Sequence, residues 1–292
     1  MNMRMLAVGG AVALAAIGGL TYAMLGTASH DTSSNDDSMP GMGGSSSSGG
    51  AMERMLPVGD VSGLKRAADG YSLDLETASL SKGAPSPIAF RIVGPGGQAI
   101  TRFQVDATKK MHLIVVRRDL TNYQHLHPRM SQDGTWTIKA AVAGSGSYRA
   151  FADFAAGGKR HVLGVDLTVP GVSTRIPLPE PSTTAKVDGY SVELHAGMLM
   201  AGDDSPIRFR ITREGRPVRN LERYLGNLGH LVVLHKSTVQ YLHVHPTSGA
   251  VSGSDIRFSA DFPRPGPYRA FLQFQTEGRV HTAEFTIEAH SM

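Results

Sequence analysis

The sequence predicts an all-β protein, in which two tandem immunoglobulin-like β-sandwich domains follow an N-terminal signal or transmembrane segment and a flexible linker. The first observation is an internal repeat, because the motif Asp-Gly-Tyr-Ser at residues 69–72 returns 119 residues later at 188–191. The second is that each copy contains about seven short segments of alternating hydrophobicity, separated by Gly, Pro and Asp. No amphipathic helix of useful length interrupts either copy.

Residues 1–28 are predicted to be a signal peptide or a single transmembrane anchor. Residues 5–25 carry no charge, and these 21 residues are enough to cross a bilayer as a helix. Gly-Thr-Ala at residues 26–28 offers a cleavage site. We therefore expect an N-terminal helix that holds the domains at the extracytoplasmic face of the cell membrane, or secretion if the segment is cleaved.

Composition divides the rest of the chain into a linker, two domains and a connector. Residues 29–56 are rich in Ser, Gly, Asp and Met, and they cannot bury enough apolar surface to fold. The β-sandwich domains are assigned to residues 57–171 and 185–292, and the connector at 172–184 is proline-rich. Because such a connector leaves few contacts across the boundary, we expect the two domains to fold separately.

The composition also excludes several functional classes. The chain has no cysteine, which excludes thiolate zinc sites, iron–sulfur clusters and blue-copper centres. Its net charge of +4 is spread along the chain, so we expect no nucleic-acid partner. The chain lacks Gly-x-Ser-x-Gly, a glycine-rich phosphate loop and His-Glu-x-x-His, so we predict that it is not an enzyme. The methionines of the linker are either incidental or soft ligands for Cu(I).

Histidine is the residue type that indicates a function. Eight of the twelve histidines occupy equivalent positions of the two copies, and these are the predicted metal ligands: His112, His125, His127, His161, His230, His243, His245 and His281. Scattered surface histidines would not align in this way. The alternative is that they are half-buried sheet residues, hydrogen-bonded to backbone carbonyls or to one another.

Strand geometry predicts which of these histidines meet. A hairpin turn centred after Asp119 sets His112 opposite His127, and His125 shares their face because side chains two residues apart in a strand point the same way. The same reasoning gives the set of the second copy: His230 opposite His245, with His243. The last hairpin of each copy could add one further ligand: His161 or His281.

Residues 111–128 and 229–246, each ending on a His-x-His-Pro strand, resemble the tandem modules of actinobacterial secreted or membrane-anchored proteins associated with copper and other heavy metals. The similarity covers roughly residues 57–290. It implies exported immunoglobulin-like or YtkA-like sandwiches that handle copper, with other envelope metal-handling proteins as partners. Ser-Gly-Ser-Tyr at residues 145–148 departs from the Pro-Gly-x-Tyr entry of these modules.

The predicted function is extracytoplasmic binding of a transition metal by a histidine cluster in each domain, for sequestration or delivery. Three imidazoles without a thiolate suit Cu(II) or Zn(II), and nitrogen ligands favour copper over zinc. Copper is therefore the expected metal and zinc the alternative. A different class of function stays open, a cell-envelope protein–protein interaction module that binds no metal.

Overall fold

The computed structural model of the protein describes residues 60–78, 80–242, 244–247 and 253–291. The predicted N-terminal segment and linker lie outside these residues, and so does His243. All regular elements of the described ranges are β-strands. No helix in the same ranges is long and apolar enough to cross a membrane. The prediction of two tandem all-β domains is confirmed.

Among the described residues of the first domain there are nine strands: β1 (Ala67–Ala68), β2 (Tyr71–Ala78), β3 (Pro85–Val93), β4 (His112–Arg117), β5 (Gln124–Leu126), β6 (Arg129–Met130), β7 (Trp136–Ala141), β8 (Gly146–Ala156) and β9 (Lys159–Val169). They form two antiparallel sheets, with the strand orders β1-β2-β3-β7-β6 and β5-β4-β8-β9. The two sheets enclose an apolar core to which Leu73 and Phe90 contribute from one sheet, and Leu113 and Tyr148 from the other.

In the part of the second domain that the structure describes, there are eleven strands: β10 (Thr184–Val187), β11 (Tyr190–Ala196), β12 (Leu199–Met200), β13 (Asp204–Arg213), β14 (Arg216–Pro217), β15 (Gly229–His235), β16 (Tyr241–Leu242), β17 (Val244–Pro246), β18 (Asp255–Asp261), β19 (Gly266–Thr276) and β20 (Arg279–His290). One sheet has the order β10-β11-β13-β18-β17, with β14 beside β13, and the other has the order β12-β20-β19-β15-β16. The second domain therefore repeats the plan of the first.

Each domain contains a tyrosine corner, a feature of immunoglobulin-like sandwiches. The hydroxyl of Tyr148 donates a 2.6 Å hydrogen bond to the carbonyl oxygen of Gly144, four residues upstream. Tyr268 makes the same 2.6 Å bond to the carbonyl oxygen of Arg264. Both rings are fully buried, so each corner ties the loop before a long strand to the core of its domain.

Strand β4 is buried on both of its faces. Leu113 and Val115 point into the core of the first domain, whereas Ile114 and Val116 point away from it. The outward pair is nevertheless fully buried, because it packs against the second domain. An uninterrupted apolar run is what a strand covered on both faces requires.

The outer faces of the two domains share one apolar cluster, which we call the inter-domain cluster: Ile114, Val116, Leu120, Phe151, Val162, Val232, Leu234, Val239, Tyr241 and Phe271. Both domains accordingly belong to one compact unit of the chain. The expectation of few contacts across the domain boundary is therefore wrong. The contacts form because β4 and β15 each present apolar side chains on the face turned away from their own core. These two faces cover each other and bury the apolar surface.

Equivalent aromatic residues of the two domains contact each other across this interface. The ring of Tyr123 stacks on that of Phe271, with centroids 4.0 Å apart. Their counterparts are Tyr241 and Phe151, whose ring centroids lie 5.8 Å apart. Each domain thus supplies one tyrosine and one phenylalanine to two matching contacts, as subunits do in a dimer with two-fold symmetry.

Candidate metal centre

The β4–β5 hairpin brings the histidines of the first domain together. Leu113 pairs with Leu126, and Ile114 pairs with His125, so the predicted register is confirmed. This register turns His125 to the outer face of the sheet. The ring centroids of His112 and His127 lie 5.1 Å apart, as expected for residues at opposite positions of the same register.

His112, His125 and His127 form a cluster that we call the histidine triad. One ring nitrogen from each lies within 4.8 Å of the others. Nδ1 of His112 lies 3.0 Å from Nε2 of His125. Two nitrogens bound to one ion at about 2.0 to 2.1 Å are about 2.9 Å apart at a right angle and about 3.4 Å apart in a tetrahedron. The spacing of this pair therefore fits two ligands of the same ion.

Hydrogen bonds around the triad determine which nitrogens carry protons. Nε2 of His112 lies 3.1 Å from the carbonyl oxygen of Asp106, which can only accept, so this nitrogen is the donor. Nδ1 of His125 donates to the amide oxygen of Gln273 at 2.7 Å. Since a neutral imidazole carries one N–H, the lone pairs of His112 Nδ1 and His125 Nε2 face each other. Such a pair needs an ion or an extra proton between its members.

Burial keeps these histidines neutral. It lowers the pKa of His112 to about 4, although the charge of Asp153 acts in the opposite direction. Burial and the neighbouring His112 lower the pKa of His125 to about 3. Burial and His125 lower the pKa of His127 to about 4. The triad is therefore unprotonated near neutral pH, which is the state in which imidazole binds metals.

His230 of the second domain lies against this triad. Its ring is parallel to that of His112 within 8°, with centroids 5.7 Å apart, and its centroid is 4.7 Å from that of His125. Burial lowers its pKa well below the ordinary value, with a smaller contribution from His125. The Nε2 atoms of His230 and His127 are both buried, and neither has a hydrogen-bond partner among the described residues.

The second domain does not repeat the predicted arrangement. Its hairpin has the predicted register, since Val233 pairs with Leu242. His245, however, lies in β17, which leaves this sheet and pairs with β18, where His245 is opposite Ser259. The expected pairing of His230 with His245 is therefore wrong, because the chain crosses to the other sheet directly after β16. His243 lies outside the described residues.

A family model, the domain of unknown function DUF8832, matches residues 66–171 and 185–291. The chain belongs to this family. It carries two tandem DUF8832 domains, and the match names neither a YtkA-like module nor a metal. A search of curated proteins finds no match.

Solved structures show only distant similarity to the tandem DUF8832 domains. The Escherichia coli adhesin FdeC is 10% identical over 77% of this chain and 65% of its own, with a TM-score of 0.28. The α-2-macroglobulin of Salmonella is 13% identical over 80% of this chain and 16% of its own, with a TM-score of 0.28. Two fibronectin type III domains of chicken tenascin are 9% identical over 75% of this chain and 98% of theirs, with a TM-score of 0.23. TM-scores this low support no conclusion about function.

The structure places His161 and His281 apart from the triad, at equivalent positions of the two DUF8832 domains. Nδ1 of His281 is 2.8 Å from a carboxylate oxygen of Asp188, and Nδ1 of His161 is 3.4 Å from one of Asp69. Both histidines are buried. The two aspartates begin the repeated Asp-Gly-Tyr-Ser motif. In the second domain His281 therefore binds the first turn to the last hairpin, whereas Nδ1 of His161 has no hydrogen-bond partner among the described residues.

Two further polar residues near the triad were not among the predicted site residues. Gln273 is the hydrogen-bond partner of His125, and Asp153 occupies the equivalent position in the first DUF8832 domain, opposite His112. Asp153 accepts hydrogen bonds from Arg160 at 2.6 Å and from the hydroxyl of Tyr241 at 3.1 Å. Burial raises the pKa of Asp153, but Arg160 outweighs this and holds it below the ordinary value.

An open cleft leads from solvent to His127 of the triad. It has a volume of about 310 Å³, and His127 and Trp136 contribute to its lining. Lys109, Lys110 and Arg129 surround the same cleft with positive charge. The cleft gives a small ligand a path to His127 without opening either domain.

Proposed function

We propose that the chain binds a transition metal ion outside the cytoplasm through His112, His125 and His127, for sequestration or delivery. The proposal rests on two unprotonated ring nitrogens, Nδ1 of His112 and Nε2 of His125. They lie 3.0 Å apart, and their lone pairs face each other. Their other ring nitrogens donate to Asp106 and Gln273. Metal-bound histidines are oriented in this way, by a hydrogen bond from the nitrogen that does not bind the ion.

Copper is the ion that the ligand chemistry favours. Imidazole nitrogen binds both Cu(II) and Zn(II), and the affinity order of divalent ions places copper above zinc. The chain has no cysteine, so no thiolate competes for the ion. We propose copper as the bound metal and zinc as the alternative.

Binding rather than catalysis is the proposed role. Asp153, which lies opposite His112 in the sheet, is already bound by Arg160 and Tyr241, so this carboxylate is not free to act as a general base. Location outside the cytoplasm is part of the proposal and is supported by the uncharged segment at residues 5–25. Other metal-handling proteins of the envelope are the proposed donors or acceptors.

Calorimetric titration of the full chain, purified without a histidine tag, tests this function. Cu(II) and Zn(II) should each bind saturably to the wild type, and His127→Ala should lower the affinity by well over tenfold. His195→Ala is the control, because His195 is partly exposed in a different sheet. Absence of saturable binding, or equal binding by His127→Ala, would overturn the proposal and favour the metal-free envelope interaction module.

A further inference from the structure

We infer that His230 is the fourth ligand of this centre, so that one ion binds between the two domains instead of one ion in each. The inference rests on the proposed metal-binding function. His230 projects from β15 of the second domain, and its ring lies against those of His112 and His125 of the first. Its Nε2 atom is buried and has no hydrogen-bond partner in the described part of the chain.

An unpartnered nitrogen at this position indicates a ligand. A buried polar atom without a hydrogen bond destabilises the fold. The centre contains two such atoms, Nε2 of His127 and Nε2 of His230. They accompany the facing lone pairs of His112 and His125. The ligand atoms that lie within 4.8 Å of one another belong to the triad, so the ring of His230 must turn a nitrogen towards them for one ion to satisfy all four imidazoles.

The second domain also positions a ligand that belongs to the first. The side chain of Gln273 is 7% exposed and accepts the Nδ1 proton of His125 across the domain boundary. This bond leaves Nε2 as the nitrogen of His125 that can bind a metal. Both His230 and Gln273 are therefore missing from an isolated first domain, whose triad would lack one ligand and one positioning residue.

The inter-domain cluster holds His230 in place. Val232 and Leu234 follow His230 on the same face of β15 and pack within this cluster. Tyr123 stacks on Phe271, two residues before Gln273 in β19. Apolar contacts thus hold the interface together, beside the hydrogen bonds that Gln273 and Tyr241 make across it, and the ion adds a bond between two surfaces that are already aligned.

Nitrogen NMR identifies the ligands one by one. Full-length protein labelled with ¹⁵N-histidine is titrated with Zn(II), which is diamagnetic, and two-bond proton–nitrogen spectra of the imidazoles are recorded. The expected result is that a ring nitrogen of His230 shifts together with those of the triad and saturates at one ion per chain. If the triad shifts and His230 does not, the inference is overturned while the proposed function stands. If no imidazole shifts, the proposed function fails.

Variants of the full chain give a second test. His230→Ala should weaken Cu(II) binding at least tenfold and remove one nitrogen from the electron paramagnetic resonance pattern. His195→Ala is the matched control, since it also removes an imidazole of the second domain, but from a different sheet, and should leave affinity and nitrogen pattern unchanged. Equal affinity and an unchanged nitrogen pattern in His230→Ala, with binding lost in His127→Ala, would overturn the inference alone. Two bound ions per chain in the wild type would also overturn it.

Discussion

The amide oxygen of Gln273 accepts a 2.7 Å hydrogen bond from Nδ1 of His125, across the boundary between the two domains. The equivalent residue of the first domain is Asp153, which binds Arg160 and Tyr241 instead. The same position of the repeat therefore has a different role in each domain. In the second domain it orients a candidate ligand, and in the first it neutralises a buried arginine.

Gln273→Leu should weaken metal binding by tenfold to a hundredfold, the usual effect of losing a partner that orients a ligand. Gln273→Glu should retain tight binding, because its carboxylate still accepts the Nδ1 proton of His125. Gln275→Leu is the matched control, since Gln275 lies in the same strand and bonds to Glu222. Calorimetric titration with Cu(II) measures all three, and a Gln273→Leu affinity equal to that of wild type would contradict the positioning role.

Acid should destabilise the metal-free protein. The pKa values of His112 and His127 fall from 6.5 to about 4 in the folded state, so the unfolded chain binds more protons between these values. The free energy of unfolding should therefore be greatest above pH 6.5 and decrease as the pH falls towards 4, by at most about 1.4 kcal/mol per pH unit for each histidine.

Urea unfolding followed at a series of pH values measures this loss. His125→Phe removes one buried imidazole and should flatten the profile, whereas Phe209→Ala removes no titratable group and should lower stability at every pH without changing the slope. A free energy of unfolding that stays constant between pH 6.5 and 4 would mean that the histidines are not shielded from water.

Phe271→Ala should weaken the coupling between the domains. It removes the ring that stacks on Tyr123 and opens a cavity in the inter-domain cluster, at a cost of roughly 3 to 5 kcal/mol. Calorimetric melting should show two separated transitions. Phe209→Ala, in the core of the second domain, should lower stability without separating them. A single sharp transition in Phe271→Ala would show that the domains are coupled through other contacts.

Asp153→Asn should destabilise the fold severely. Arg160 would lose its closer carboxylate partner and keep Asp106 at 3.4 Å while remaining mostly buried, and removal of one member of a buried ion pair costs about 3 to 5 kcal/mol. Tyr241→Phe removes a single hydrogen bond to the same carboxylate and should cost only about 0.5 to 1.5 kcal/mol. Denaturant unfolding measures both, and equal losses in the two variants would contradict this ranking.

The register of both hairpins was predictable from the sequence. A turn fixes which residues pair, and the pleat fixes which of them share a face, so the pairing of Ile114 with His125 follows from local rules. The crossing of β17 to the opposite sheet is different. It depends on pairing with β18, so nothing within the His-Val-His-Pro segment indicates that His245 leaves the hairpin.

The interface could have been suspected from one pattern. Leu113, Ile114, Val115 and Val116 form a continuous apolar run, and such a run indicates a strand buried on both faces. The sequence does not say which surface covers the second face. The partnership of His125 with Gln273 depends on that surface and joins residues 148 positions apart, so local spacing could not predict it.

Tyr123 contacts Phe271, and Tyr241 contacts Phe151, between two domains of the same chain. This linkage matters when the protein is dilute. Two separate copies would have to meet before their faces could close, and dilution would drive them apart. Joined in one chain, each copy experiences the other at a fixed effective concentration, on the order of millimolar for a short tether. Closure of the two faces is then independent of the concentration of the protein.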